Sequence, residues 1–158
     1  MPESHLTVPT QFIDVGGMHY ACRQWGKTGI APLFHIIHFH GGMEHWDPLL
    51  TDDFARDRGF ILFNGRGMAS SSGSPRNTAQ DMADDIASVI RNVDVLGFSI
   101  VAFQAQEVAL RHPSPIRKII LIGTGPRARM RILAAPLSEY RRPGSAQFAG
   151  GRSHAVAG

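Results

Sequence analysis

Val93-Asp94-Val95-Leu96-Gly97-Phe98-Ser99-Ile100-Val101 is the stretch on which the reading of this chain turns. Val93–Leu96 is a short apolar run of the kind that forms a buried strand, and Ser99–Arg111 reads as a helix ended before Pro113. A serine at a tight strand-to-helix turn is the context of a G-x-S-x-G nucleophile elbow. Such a serine occupies a strained backbone position, so its neighbours must be small. Gly97 supplies the first small residue. Val101 stands where a second glycine is expected, and a branched side chain there could press on the preceding strand. The plainer alternative is that Ser99 caps an ordinary helix through its hydroxyl.

Working outward, the periodicity alternates between strand and helix. Upstream, Thr78–Arg91 has apolar residues at 79, 82, 83, 86, 87 and 90, which is helical spacing, and Thr78 with Asp81 forms a capping-box-like start. Its pattern leaves almost no connection before Val93, where helix-to-strand loops take roughly 2–6 residues, so the last helical turn is expected to give way. Phe60–Phe63 and Leu33–Phe39 read as buried strands. Between them Trp46–Arg58 suits a helix, with Asp47 as N-cap and Pro48 in the first turn. Gln11–Val15, Gly16-Gly17 and Met18–Trp25 read as a hairpin. Downstream, Ile116–Ile122 is a third strongly apolar strand. Alternating strands and helices predict an α/β fold with a mainly parallel sheet and helices on both faces. From Ala128 the periodicity fades. The expected organisation is a folded part over 1–127 and an irregular, disordered basic tail over 128–158.

From Gln11 to Arg127, about three-quarters of the chain, the sequence resembles the α/β-hydrolase family in its esterase and non-haem haloperoxidase-like branch. The matching pieces come in family order. Phe12-Ile13-Asp14-Val15-Gly16-Gly17 with Tyr20 and Arg23 is similar to the opening hairpin. His38-Phe39-His40-Gly41-Gly42 through Trp46 resembles the His-Gly-x oxyanion turn. Phe63-Asn64-Gly65-Arg66-Gly67-Met68-Ala69-Ser70 is similar to the Asp-x-Arg-Gly-x-Gly-x-Ser loop. Leu96-Gly97-Phe98-Ser99 matches the elbow, and His112-Pro113 to Gly123-Thr124 the next helix-to-strand step. The resemblance implies attack of Ser99 on the carbonyl of a small ester-like substrate, with no cofactor. The oxyanion would be held by the backbone N–H of Ile100 and by a second N–H from the earlier turn. Aligning His38 with the family histidine makes that donor His40. Gly42 takes its place if His40-Gly41 is the true pair.

The pattern departs from the family after the elbow. A serine needs a base, and the base needs an orienting carboxylate, in the order Ser, acid, His. After Ser99 the acids are Glu107 and Glu139 and the histidines are His112 and His154. Glu107 and His112 sit on the helix leaving the elbow and are expected on the surface, pointing away from Ser99. Glu139 and His154 fall in the irregular stretch. The later strands and the lid of the family have no counterpart, so the chain reads as the front part of a truncated domain. Two functions follow: an esterase-like hydrolase with a reduced site and doubtful activity, or a catalytically silent remnant that serves as a binding protein.

Composition narrows the partners. Apolar residues are 43% and charged residues 18%, which suits a folded domain. No apolar run approaches the roughly 20 residues that cross a bilayer, so no membrane role is expected. Met1–Gln11 is a poor secretory signal, and the single Cys22 allows no internal disulfide; both point to the cytoplasm. The net charge is +3, but residues 127–158 hold six arginines against Glu139 and carry +5, leaving −2 on the rest. The basic excess is on a tail and not on a folded face, so no nucleic-acid partner is expected.

Three rival motifs are weaker. Ala21–Thr28 fits a loose phosphate-loop pattern but is filled with bulky strand-like residues. Gly123–Ala128 fits G-x-G-x-x-A, yet no acid follows at the distance a dinucleotide site needs. His38 and His40, on one face of a strand near His35, His45 and Glu44, could converge on a metal. The oxyanion-turn reading already explains them, with His38 held inside and His45 exposed, so no metal is expected. Finally, Ile119–Ile122 is expected at a sheet edge, open to self-association.

Overall fold

The computed structural model describes residues 3–37 and 41–126. His38, Phe39, His40 and the stretch from Arg127 onward, with Glu139 and His154 and the expected basic tail, lie outside the described residues.

A six-stranded sheet organises the chain, in the order β1-β2-β4-β3-β5-β6. The strands are β1 (Gln11–Val15), β2 (Met18–Gly26), β3 (Leu33–Ile36), β4 (Gly59–Phe63), β5 (Val93–Phe98) and β6 (Ile116–Ile122). The β1–β2 hairpin turns at Gly16 and Gly17, both at positive φ, +57° and +75°. Glycine adopts that conformation without the Cβ penalty, and the twist of such a turn matches its strands. β2 pairs antiparallel with β4. The β3–β4, β3–β5 and β5–β6 pairs are parallel, as the alternating pattern predicts.

Helices cover both faces. α1 (Pro48–Asp57) begins at Asp47, whose carboxylate accepts from the Leu49 N–H at 2.9 Å. Ala55 of this helix and the partly buried Phe54 pack in a core with Trp25, Leu33, Phe60, Leu62 and Leu96. α2 (Ala79–Val89) begins at Thr78, whose hydroxyl accepts from the Asp81 N–H at 3.1 Å. With α3 (Ala102–Arg111) it builds the second core, in which Ala83, Ile86, Ala105 and Val108 meet Phe34, Phe63 and Val95. α2 stops at Val89, not Arg91. Ile90 is already extended, and Asn92, at φ +51°, makes the bend into β5. The tight connection is thus relieved by unwinding the last turn.

One ionic cluster ties the sheet at the end away from Ser99. Asp94 on β5 is 1% exposed. Arg117 meets it with Nε and Nη2 at 2.8 and 2.7 Å, and Arg58 with Nη2 at 2.8 Å. Register explains the approach: Val93 pairs with Ile116 but Asp94 with Lys118, so Arg117 is the extra residue of a bulge. The guanidinium of Arg117, then that of Arg58, holds the Asp94 carboxyl down at about 2 against the cost of burial.

Candidate active site

Ser99 lies at the exposed junction of β5 and the helical segment after it, with φ +55°. A non-glycine residue in the left-handed region is strained and persists only where its surroundings impose it. Here they do. Gly97 lies against the start of α3: a Cβ on it would fall 2.7 Å from Ala102 Cα and 2.9 Å from Ala105 Cβ. Strand and helix therefore approach closely only because 97, 102 and 105 are small, and the chain must reverse within Phe98–Ile100.

Ser99 is not a capping residue. Ser99–Val101 is a single turn of 3-10 helix whose N-cap is Phe98, with no side-chain cap, and it runs into α3. The first N–H groups of a helix have no acceptor within it. The Ile100 N–H therefore opens the helical segment beside Ser99 with no side chain capping it. Val101, where a second glycine was expected, turns its branched side chain into the core that Val95 of β5 also lines. It is 1% exposed and packs in the core with Ile86, Ala105 and Val108. An apolar shelf adjoins the serine: Phe98 is 42% and Ile100 57% exposed, and Trp46 stands edge-on to Phe98 at 6.0 Å.

Of the earlier turn, Gly41 to Trp46 are described. Met43–His45 is a 3-10 turn, and the Gly42 N–H donates to His45 Nδ1 at 2.8 Å. Gly42 would have to break that bond to receive an oxyanion. His45 is exposed, as expected. Arg23 of β2 steadies the turn, with Nη2 on Glu44 at 2.9 Å, while Nη1 donates to the His5 carbonyl and Nε to Thr10 Oγ1. His35 is buried, its Nδ1 3.3 Å from the Leu96 carbonyl and its ring edge-on to Trp46 at 4.2 Å.

The downstream candidates do not converge on the serine. Glu107, expected on the surface, is instead 2% exposed, with Gln80 Nε2 3.4 Å from Oε1. It faces α2 because position 107 falls on the stripe of α3 that packs against that helix, a placement helical spacing could have revealed. His112 is half-buried and bonds Asp84 at 2.6 Å through Nε2, which with Arg111 holds the Asp84 carboxyl low. Among the described residues no side chain hydrogen-bonds Ser99 Oγ, and none forms a cluster of three or more metal-ligating groups. Ala21–Thr28, the loose phosphate-loop match, is largely strand β2.

A strained serine between a parallel strand and a helix, opened by small residues, has the geometry expected of the elbow in the α/β-hydrolase class. The family model described as the alpha/beta hydrolase fold matches residues 35–149. The chain belongs to the α/β-hydrolase family. It is similar to an α/β-hydrolase fold protein from Chitinophaga pinensis, with 39% identity and a TM-score of 0.74 over 78% of this chain and 47% of that one. It is also 31% identical over 125 residues to the proline iminopeptidase PfmaB of Pestalotiopsis fici, 73% of this chain and 44% of the relative. A membrane phospholipase A described as a bacterial virulence factor shares the fold, with a TM-score of 0.67 at 17% identity over 77% of this chain and 41% of that one. The chain thus spans less than half the length of these relatives.

Proposed function

We propose that the chain is an ester-type serine hydrolase in which Ser99 is the nucleophile and the Ile100 N–H one of two oxyanion donors. The observation that carries this is the positive φ of an exposed Ser99 against Gly97. A serine that merely caps a helix needs no such strain. The resemblance makes the His40 N–H, outside the described residues, the second donor, and the alternative Gly42 N–H is engaged by His45. The shelf of Phe98 and Ile100 suits an apolar acyl or leaving group. Cys22 is buried and unpaired, in keeping with a reducing cytoplasm. Among the described residues no helix is long and apolar enough to cross a membrane.

Turnover by the 158-residue chain is slow. The described carboxylate and imidazole that follow Ser99 are committed elsewhere, Glu107 inside the α2–α3 packing and His112 on Asp84. An oxyanion hole without a base retains only residual rate, on the order of 10³–10⁴ over water. The test is labelling with a fluorophosphonate, alongside hydrolysis of an activated ester. Label should appear on Ser99 and vanish in Ser99→Ala, with slow ester turnover. Label at another residue, or none at any time, removes Ser99 as nucleophile and leaves the silent, binding-only reading. Fast turnover abolished by Ser99→Ala would show a base in place, and His154→Ala would then test the histidine outside the described residues.

A further inference from the structure

Arg66 stands in the loop after β4 with its Nε buried and, among the described residues, without a hydrogen-bond or ion-pair partner. A guanidinium N–H shut off from water and left unpaired is costly, so such groups normally have an acceptor. The loop offers none of opposite charge. From Asn64 to Thr78 it contains no acid. Asn64, where the resembling pattern has Asp, is a neutral amide, 1% exposed, whose own side-chain atoms are unpartnered.

The loop nevertheless holds Arg66 firmly. Gly67 donates to the Ser72 carbonyl at 2.9 Å, Ser71 Oγ donates to the Asn64 carbonyl at 2.8 Å, and the Met68 N–H donates to the Gly65 carbonyl at 3.1 Å. Gly73, at φ +83°, leaves room for the guanidinium: a Cβ there would lie 2.9 Å from Arg66 Nε and 2.5 Å from Met18 Cε.

Arg66 lines a cavity of about 40 Å³, bounded by Ile36, Ile37, Phe63, Arg76 and Asp85 among others. The one carboxylate there is already engaged. Arg76 grips Asp85 with Nε and Nη2, both at 2.9 Å, and the buried Tyr20 hydroxyl bonds it as well. Two guanidiniums against one carboxylate leave the cavity with one excess positive charge. A water takes roughly 10–15 Å³ on the same measure, so the space suits about three waters or one small planar anion. Its walls are partly aliphatic and aromatic, which fits a short carbon chain behind a carboxylate better than a tetrahedral anion needing many donors.

We propose that this cavity is a binding site for a small carboxylate, held by Arg66. The site does not rest on the reactivity of Ser99. The test follows the Arg66 Nε–H resonance of the full chain by NMR as sodium acetate replaces sodium chloride at constant ionic strength. The resonance should move saturably, with a dissociation constant on the order of millimolar. Arg66→Lys keeps a charge but loses the fork. It should weaken acetate binding, followed by heteronuclear shifts of the cavity methyls of Ile36 and Ile37, by roughly ten- to a hundredfold. Ser99→Ala should bind acetate as the wild type does, which separates this site from the hydrolase reading. A resonance that does not saturate, an equal response to chloride, or undiminished binding in Arg66→Lys would each overturn the proposal.

Discussion

Replacing Asp94 by Asn should cost the fold at neutral pH and nothing of that cost in strong acid. The side chain is 2% exposed and binds two guanidiniums through three hydrogen bonds, none longer than 2.8 Å. Its carboxyl is held at about 2, against an ordinary 3.8. At about 1.4 kcal/mol per pH unit, the difference gives the folded state about 2 kcal/mol. The sign follows from the lowered value. The unfolded chain takes up the proton first, so the stabilisation is complete above about 3.8 and is lost as pH falls towards 2. Asn also leaves Arg58, 21% exposed, short of its charge partner, while Arg117, 41% exposed, can turn to water. Breaking a buried pair costs up to about 3–5 kcal/mol, so Asp94→Asn should lose about 2–4 kcal/mol at pH 7. Urea unfolding of both proteins from pH 7 to 2.5 measures this, and the difference between them cancels the other carboxylates. The reasoning fails if the variant lies within about 0.5 kcal/mol of wild type at pH 7, or if the gap stays constant down to pH 2.5.

Three further outcomes are expected. Gly97→Ala should destabilise by about 1–3 kcal/mol in thermal unfolding and slow phosphonate labelling, because its methyl meets the backbone of Ala102 and α3 must retreat; an unchanged melt and labelling rate would refute the close approach. The purified chain should self-associate through β6, whose Ile119, Ile120, Leu121 and Ile122 are 37–43% exposed; size-exclusion chromatography giving a monodisperse monomer would count against it, and Ile120→Lys should reduce the association. Elemental analysis should find no stoichiometric zinc or iron, and a metal removed by His38→Ala with His40→Ala would overturn the oxyanion reading of that turn.

The elements that could be read from the sequence are those with a local cause. Asp47 before Pro48 and Thr78 before Asp81 start α1 and α2 where the caps predict, since a cap acts within three residues. β1 and β6 have the predicted limits because period and turn residues bound them. The helix pattern ran on to Arg91 because Ile90 is apolar, but its side chain, 1% exposed, reaches the core from an extended backbone. Periodicity cannot distinguish those two routes to burial.

The site divides along the same line. Gly97 and Ser99 after an apolar run were enough to place a turn and a candidate nucleophile, because the steric need for small residues is local. Whether Ser99 caps the helix or is forced to φ +55° depends on how near Ala102 and Ala105 come to Gly97, and that distance belongs to the packed strand and helix. The same holds for the charged groups. Nothing local marks Asp94 as the partner of Arg58 and Arg117, which lie 36 and 23 residues away, or Glu107 as buried. By itself the sequence determined the order of strands and helices, the family and the serine at the turn, all set by neighbouring residues. Tertiary structure alone decided which charges are paired, which are left over at Arg66, and how tightly the serine is held, because those depend on distances between segments remote in the chain.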